Sequence, residues 1–229
     1  MTSLVTDLIS FLRERQARLD REAIASRFSE FTMTPIRTFA DNLLLAESVR
    51  EVKGCVVECG VWRGGMSAGI AATLGADRAY YLYDSFEGLP DPQEELDGQK
   101  AIAWTKATDS KDYFDNCSAS PDFAERAMNL AGATHFRLIQ GWFENTLPTQ
   151  APDEPIALLR IDGDWYDSTM VCLENLFEKV VPGGLIIMDD YLIWDGCSRA
   201  LHDYLSRTHS TVRIQNLGRV GYIKKLPTS

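Results

Sequence analysis

The residues with the most chemical content lie between Leu158 and Tyr191. An apolar run ends in Asp162 and Asp164, a helix-like segment and Pro182-Gly183-Gly184 follow, and a second apolar run ends in Asp189 and Asp190. Asp162 and Asp164 are two positions apart, so in an extended segment both point to one side. Asp189 and Asp190 reach the same crevice if the two runs are neighbouring strands. Carboxylates crowded in this way repel one another unless something cationic sits among them. Mg²⁺ is a hard ion that takes carboxylate, water and substrate oxygens in an octahedron. Asp162, Asp189 and Asp190 are the expected metal ligands. Coordination lowers the pKa of a bound hydroxyl, and Asp164 is expected to accept its proton as general base. His135 and His202 are rival bases, although each also reads as a surface or packing residue. Asp167 reads as the start of a helix. Trp165, Tyr166 and Trp194 flank the pocket, as a substrate wall or as ordinary packing.

A second constellation lies upstream. Glu58-Cys59-Gly60-Val61-Trp62-Arg63-Gly64-Gly65 follows the order strand, glycine turn, helix start, without being a GxGxxG. Glycines let the backbone approach a ligand closely. Glu58 would repel a pyrophosphate and attract an ammonium group, and Asp84 suits hydrogen bonding to ribose hydroxyls. A ribosylated cofactor with an amino group fits best, which describes S-adenosylmethionine; NAD is the alternative.

These residues need elements to position them. Leu4, Leu8, Phe11 and Leu12 recur at helical spacing, as do Ile36, Phe39, Leu43 and Ala46, with Pro35 suited to a first turn. Residues 1–52 are expected to form two or three helices ahead of the main domain at 53–229. Strands are expected at Cys55–Cys59, Ala79–Tyr83, His135–Ile139, Ile156–Asp162 and Leu185–Asp189. Helices alternate with them, one N-capped by Ser168, and residues 86–120 read as a long irregular region of the kind that forms lids. An antiparallel pair, Thr211–Gln215 and Val220–Lys224, closes the chain. The pattern predicts an α/β fold with a mostly parallel sheet covered on both faces. Ligands in such sheets bind beyond the strand carboxyl ends, where Gly60, Asp84, Gly141, Asp162 and Asp189-Asp190 all fall.

Composition bounds the partners. The 229 residues are 45% hydrophobic and carry a formal net charge of -10. That suits one substantial core and argues against a general nucleic-acid or anionic-membrane binder, which needs a basic surface. The N-terminus is too charged for a signal peptide, and no apolar run approaches a membrane span. The five cysteines form no CxxC, as expected of reduced structural thiols in a cytoplasmic protein. The aromatic-bearing N-terminal helices allow a homo-oligomer.

The motifs VECGVWRGG, DSFEGLP, GWFENTLP, LRIDGDWYDST and GGLIIMDDY, in this order, resemble those of the macrocin O-methyltransferase family. The resemblance runs from about Thr32 to the C-terminus. It implies a class I methyltransferase (Rossmann-like) fold, S-adenosylmethionine as methyl donor and Mg²⁺ dependence, with a sugar hydroxyl of a natural product as acceptor. It places Glu58, Gly60 and Trp62 at the methionine part, Asp84 at the ribose with Ser85 and Phe86 beside it, and Gly141 and Trp142 at the adenine. Asp162 is shared between cofactor and metal, Asp162, Asp189 and Asp190 match the metal aspartates, and Met33 lies in a lid joint, Thr32-Met33-Thr34. Asp164 matches the base of the aminocoumarin sugar enzymes, a role that falls to a histidine in macrolide members. This chain departs from the family in a short N-terminal part and in Leu192-Ile193-Trp194-Asp195-Gly196 after Tyr191. Two alternatives stay open: a catechol-type or other vicinal-diol O-methyltransferase, and a non-catalytic S-adenosylmethionine-binding protein.

Overall fold

The computed structural model describes residues 2–111 and 113–226; the side chains of Leu4 and Leu8 lie outside the described ones. Two helices, α1 (Thr2–Arg27) and α2 (Ile36–Glu47), precede the sheet. The chain then alternates through β1 (Cys55–Cys59), α3 (Gly65–Leu74), β2 (Tyr80–Asp84), α4 (Glu94–Lys106), α5 (Pro121–Ala131) and β3 (Phe136–Gln140). It continues with α6 (Phe143–Gln150), β4 (Ile156–Ile161), α7 (Tyr166–Leu176), β5 (Val180–Met188), α8 (Asp195–Arg207), β6 (Ile214–Leu217) and β7 (Val220–Lys224).

The strand order is β3-β2-β1-β4-β5-β7-β6. β3, β2, β1, β4 and β5 run parallel, and β7 pairs antiparallel with both β5 and β6. The chain builds outward from β1 to β3, then crosses back to place β4 on the other side of β1. That reversal opens a crevice at the carboxyl ends of β1 and β4, the usual ligand position in open α/β sheets.

All five residues of β1 and all six of β4 are buried, as both faces of the sheet are covered. Alternation sorts them. Cys55, Val57, Cys59, Leu159 and Ile161 join Leu173, Leu176 and Leu201 of α7 and α8 in one core. Val56, Leu158, Leu185 and Ile187 join Phe39 and Leu43 of α2 and Ile70 of α3 in the other. Leu43 is fully buried there, so Leu43→Ala would cost about 2–5 kcal/mol. Glu58 and Arg160 have the parity of the second group, so both side chains point toward α2 and α3.

Local signals set the helix ends. In α5, the Ser120 side chain accepts from the Asp122 N–H, Pro121 occupies the first turn, and Gly132 closes the helix at φ 79°. Gly69 on α3 lets the Phe39 ring approach, since a Cβ there would lie 2.4 Å from it.

Three sequence expectations change, and one helix is added to them. The region 86–120 is not irregular throughout: α4 lies in it, with a break at Gly98 (φ 78°) that hides its periodicity. Pro148 does the same for α6. β5 starts at Val180 instead of Leu185, because Pro182-Gly183-Gly184 forms an irregularity in the ladder with β4 rather than a turn before it. Ser168 is not the cap of α7, which begins two residues earlier at Tyr166. The Tyr166 N–H is instead capped from α4 by Asp97 Oδ1 at 2.7 Å.

Candidate active site

Three strand-to-helix turns meet over the β1–β4 crevice, and each holds a non-glycine residue in left-handed backbone: Trp62 (φ 48°), Phe86 (φ 59°) and Asp164 (φ 56°). Such residues are uncommon and gather at functional sites. At Gly60 (φ 87°) the β1 turn passes so close to β4 that a Cβ would sit 1.8 Å from the Asp162 carbonyl oxygen.

Asp84 stitches two of these turns together. Its Oδ2 accepts from the Val61 and Trp62 N–H groups at 2.6 and 2.7 Å, and its Oδ1 accepts from the Phe86 N–H at 2.6 Å. Burial raises its carboxyl above the ordinary range, while the three backbone donors hold it down. Next to it, the Ser85 hydroxyl donates to the Gly88 carbonyl. Asp84 therefore shapes the glycine turn as well as facing the cavity.

At the ends of β4 and β5, Asp162, Asp164 and Asp190 each bring a carboxylate oxygen within 4.8 Å of the others. Asp190 Oδ2 also accepts from the Asp164 N–H at 3.1 Å. Burial, followed by the negative charges of the neighbouring aspartates, lifts the Asp164 and Asp190 carboxyls well above the ordinary range. Asp162, with 31% of its side chain still open, is also raised by burial, against the pull of Arg160. The Trp194 side chain acts in the opposite sense on Asp164. Three hard oxygen donors this close, with protons or a cation required to relieve their repulsion, fit a divalent metal.

Arg160, which sequence reading passed over, lies under this cluster with its side chain 1% exposed. Its Nη1 is 2.6 Å from Glu58 Oε1 and 2.8 Å from Asp162 Oδ2, and its Nη2 is 2.8 Å from Asp189 Oδ1. Glu58 Oε2 accepts from the Ser67 hydroxyl. The structure thus gives both oxygens of Glu58 partners within the protein and groups Asp164, rather than Asp189, with Asp162 and Asp190. A basic residue in an apolar run, in phase with Glu58, was the available signal for Arg160.

A cavity of about 340 Å³ spans both halves. Met33, Glu58, Gly60, Trp62, Asp84, Ser85, Trp142, Asp162, Asp164, Asp189 and Asp190 all line it. Phe86 is buried behind the turn, and Gly141 donates its N–H to the Asp84 carbonyl at the end of β2. Neither belongs to the lining. Thr32, Thr34 and Pro35 close one side; Trp104 and Trp194 wall another. Trp104, Trp165 and Trp194 meet edge to face at 5.1–6.3 Å. His202 contacts the Tyr191 hydroxyl and His135 contacts Thr134, both outside this lining.

The sheet order, the glycine turn after β1 and the acids after β4 and β5 define a class I methyltransferase fold. The chain belongs to the macrocin-O-methyltransferase (TylF) family, whose pattern matches residues 14–223. Among its relatives, a tetracenomycin rhamnosyl 4'-O-methyltransferase of Streptomyces olivaceus is 36% identical over 68% of this chain and 59% of its own length. Demethyldecarbamoylnovobiocin O-methyltransferase of Streptomyces niveus is 35% identical over 77% and 68%, and mycinamicin III 3''-O-methyltransferase of Micromonospora griseorubida is 34% identical over 74% and 67%. The matched regions thus span about three fifths to two thirds of those relatives. The structure of the O-methyltransferase NovP matches with a TM-score of 0.72 at 31% identity, over 86% of this chain and 82% of NovP. The calicheamicin methyltransferase CalS11 shares the fold, with a TM-score of 0.63 at 17% identity over 88% and 91%. Among the described residues, no helix is long and apolar enough to cross a membrane.

Proposed function

We propose that this chain is an S-adenosylmethionine- and Mg²⁺-dependent O-methyltransferase that modifies a sugar hydroxyl on a glycosylated natural product. The observation that carries this reading is one cavity with the Asp84-braced glycine turn at one end and Asp162, Asp164 and Asp190 at the other. The relatives named for sugar methylation support the acceptor class over a catechol.

S-adenosylmethionine, when bound, would supply a methyl group on a sulfonium, and Mg²⁺, held by Asp162, Asp189 and Asp190, would supply oxygen coordination that favours the alkoxide. The remaining work belongs to the chain. Its backbone turn at Gly60–Trp62 receives the cofactor, held in shape by Asp84. Glu58 lines the cavity beside that turn with its carboxyl taken up by Arg160 and Ser67, and Ser85 and Trp142 extend the lining toward the nucleoside. Met33, in the joint between α1 and α2, supports the reading of residues 1–52 as a lid. Trp104 and Trp194 exclude water from the acceptor end. Asp164 accepts the acceptor's proton; desolvation and the neighbouring aspartates raise its basicity. Alignment of hydroxyl and methyl is the main catalytic contribution such a site makes.

The free thiols fit a reducing, cytoplasmic setting. Exposed Ile9, Phe11, Leu12 and Leu19 on α1 support a homo-oligomer, which sedimentation would test.

The deciding experiment is methyl transfer from labelled S-adenosylmethionine to a deoxysugar glycoside and to a catechol, with and without EDTA. Transfer to the glycoside, abolished by EDTA and restored by Mg²⁺, is expected. Preference for the catechol, or indifference to EDTA, would overturn the acceptor or the metal respectively.

A further inference from the structure

The cavity is acidic, and among the described residues its only basic lining side chains are Arg160 and Arg219. Arg160 is engaged: its guanidinium lies 2.6 Å from Glu58 and 2.8 Å from Asp162, with the side chain 1% exposed. Arg219 is the opposite case. It is exposed, and among the described residues no hydrogen bond, ion pair or aromatic ring engages its guanidinium.

The backbone under it is fixed. Leu217 pairs with Val220, so Gly218 and Arg219 form a two-residue hairpin turn between β6 and β7, with Gly218 in the left-handed position at φ 57°. A Cβ on Gly218 would lie 2.5 Å from Asp41 Oδ2, so the turn packs against α2. Antiparallel pairing sets Gly221 opposite Met188, the last residue of β5. The turn therefore leaves the sheet beside Asp189 and Asp190, at the acceptor end, and not over the glycine turn after β1.

We infer that Arg219 is a specificity residue for the acceptor: it takes an oxyanion carried beyond the methylated sugar, so the acceptor is an acidic glycoside. The inference rests on the proposed sugar methyltransferase reading. An anion entering this cavity meets carboxylates at Asp162, Asp164, Asp189 and Asp190, and one free cation. Only an acceptor whose anion reaches the β6–β7 turn is favoured by its charge; one with the anion elsewhere is repelled. A guanidinium presents paired donors that match a carboxylate or a phosphate. Two sources carry such an oxyanion, an acidic aglycone and the diphosphate of a sugar nucleotide.

The test is binding to the full chain with Mg²⁺ and S-adenosylhomocysteine present, read by titration calorimetry at fixed ionic strength. The probes are 4-carboxyphenyl α-L-rhamnoside, its neutral isostere 4-carbamoylphenyl α-L-rhamnoside, and thymidine diphosphate rhamnose. At least one acidic probe is expected to bind about tenfold tighter than the neutral one, near the lower end of what a charge-assisted hydrogen bond contributes. Arg219→Gln should lose about tenfold in affinity for that acidic probe and less than about twofold for the neutral one. Arg219→Lys, which keeps the charge without the paired donors, should fall between them. Circular dichroism confirms that each variant is folded. A loss confined to the carboxyphenyl probe assigns an acidic aglycone, and a loss confined to the nucleotide assigns the diphosphate. A chain that binds the neutral probe as tightly as both acidic ones overturns the inference. So does a folded Arg219→Gln that keeps its affinity for the acidic probes, or loses acidic and neutral probes equally. In each of those cases the sugar reading stands. If none of the three rhamnosides binds, the sugar reading falls, and this inference with it.

Discussion

Arg160 faces Glu58 directly across the β1–β4 ladder, with Nη1 2.6 Å from Oε1 and neither side chain more than 2% exposed. This pair joins the cofactor end of the cavity to its acidic end. It also sets a pH dependence. Burial pushes the Glu58 carboxyl up to about 7, against the attraction of Arg160 and the Ser67 hydrogen bond. An acid whose folded pKa is raised holds its proton more tightly in the folded chain than in the unfolded one. Its contribution to stability is complete below the ordinary carboxylate range and is lost as pH rises through about 7. Asp84, Asp162, Asp164 and Asp190 are shifted in the same direction. The metal-free chain should therefore melt at a lower temperature near pH 8 than near pH 5.5, roughly the window these shifts define. Glu58→Gln should reduce that difference. Calorimetry across the range checks both, and a melting temperature that climbs toward pH 8 would contradict the assignment.

Asp84→Asn should damage both stability and cofactor binding. The amide keeps one oxygen but sets an NH₂ group against backbone N–H donors that now meet a carboxylate. Charge-assisted hydrogen bonds of this kind contribute about 1.5–3 kcal/mol each. Loss of one should lower stability by about that amount, and the loosened Gly60–Trp62 turn should weaken binding of S-adenosylhomocysteine, read by titration calorimetry.

Gly60→Ala should destabilise the fold by about 3 kcal/mol. The added Cβ would overlap the Asp162 carbonyl oxygen, which is backbone and cannot rotate aside. Gly75→Ala is the control for backbone conformation alone. Gly75 also has positive φ, yet nothing lies within 4 Å of its would-be Cβ. Urea denaturation should show a smaller loss there.

Asp97→Ala should loosen the segment over the acceptor end. Asp97 is 3% exposed and accepts from the Gln93 and Tyr166 N–H groups, both at 2.7 Å. Its removal leaves two backbone donors without their partner, at a cost of about 1–3 kcal/mol for each that stays buried. Limited proteolysis should then cut between residues 86 and 119 sooner than in the unaltered chain. KM for the acceptor should rise more than kcat falls.

Much of the fold was legible in the residues themselves. β1 matches its expected span, and the other parallel strands and the closing pair lie within a few residues of theirs, apart from the early start of β5. Short apolar runs bounded by glycine and aspartate leave few other solutions for a sheet covered on both faces. The elements that escaped, α4 and α6, contain Gly98 and Pro148, which interrupt helical periodicity while tertiary contacts preserve the helix. The start of α7 escaped for a related reason, since its cap comes from Asp97, 69 positions away.

The sequence by itself determined that five acids would stand at or beside the carboxyl ends of adjacent parallel strands, because strand polarity and a period of two leave them nowhere else. Which of those acids meet was decided only by the tertiary structure. Register sets Arg160 opposite Glu58, and its guanidinium takes Asp189 as well. The left-handed backbone at Asp164 belongs to the turn that brings its carboxylate beside Asp162 and Asp190. Pairing across strands and the direction of a side chain at a turn depend on neighbours distant in the chain, and no local spacing records them.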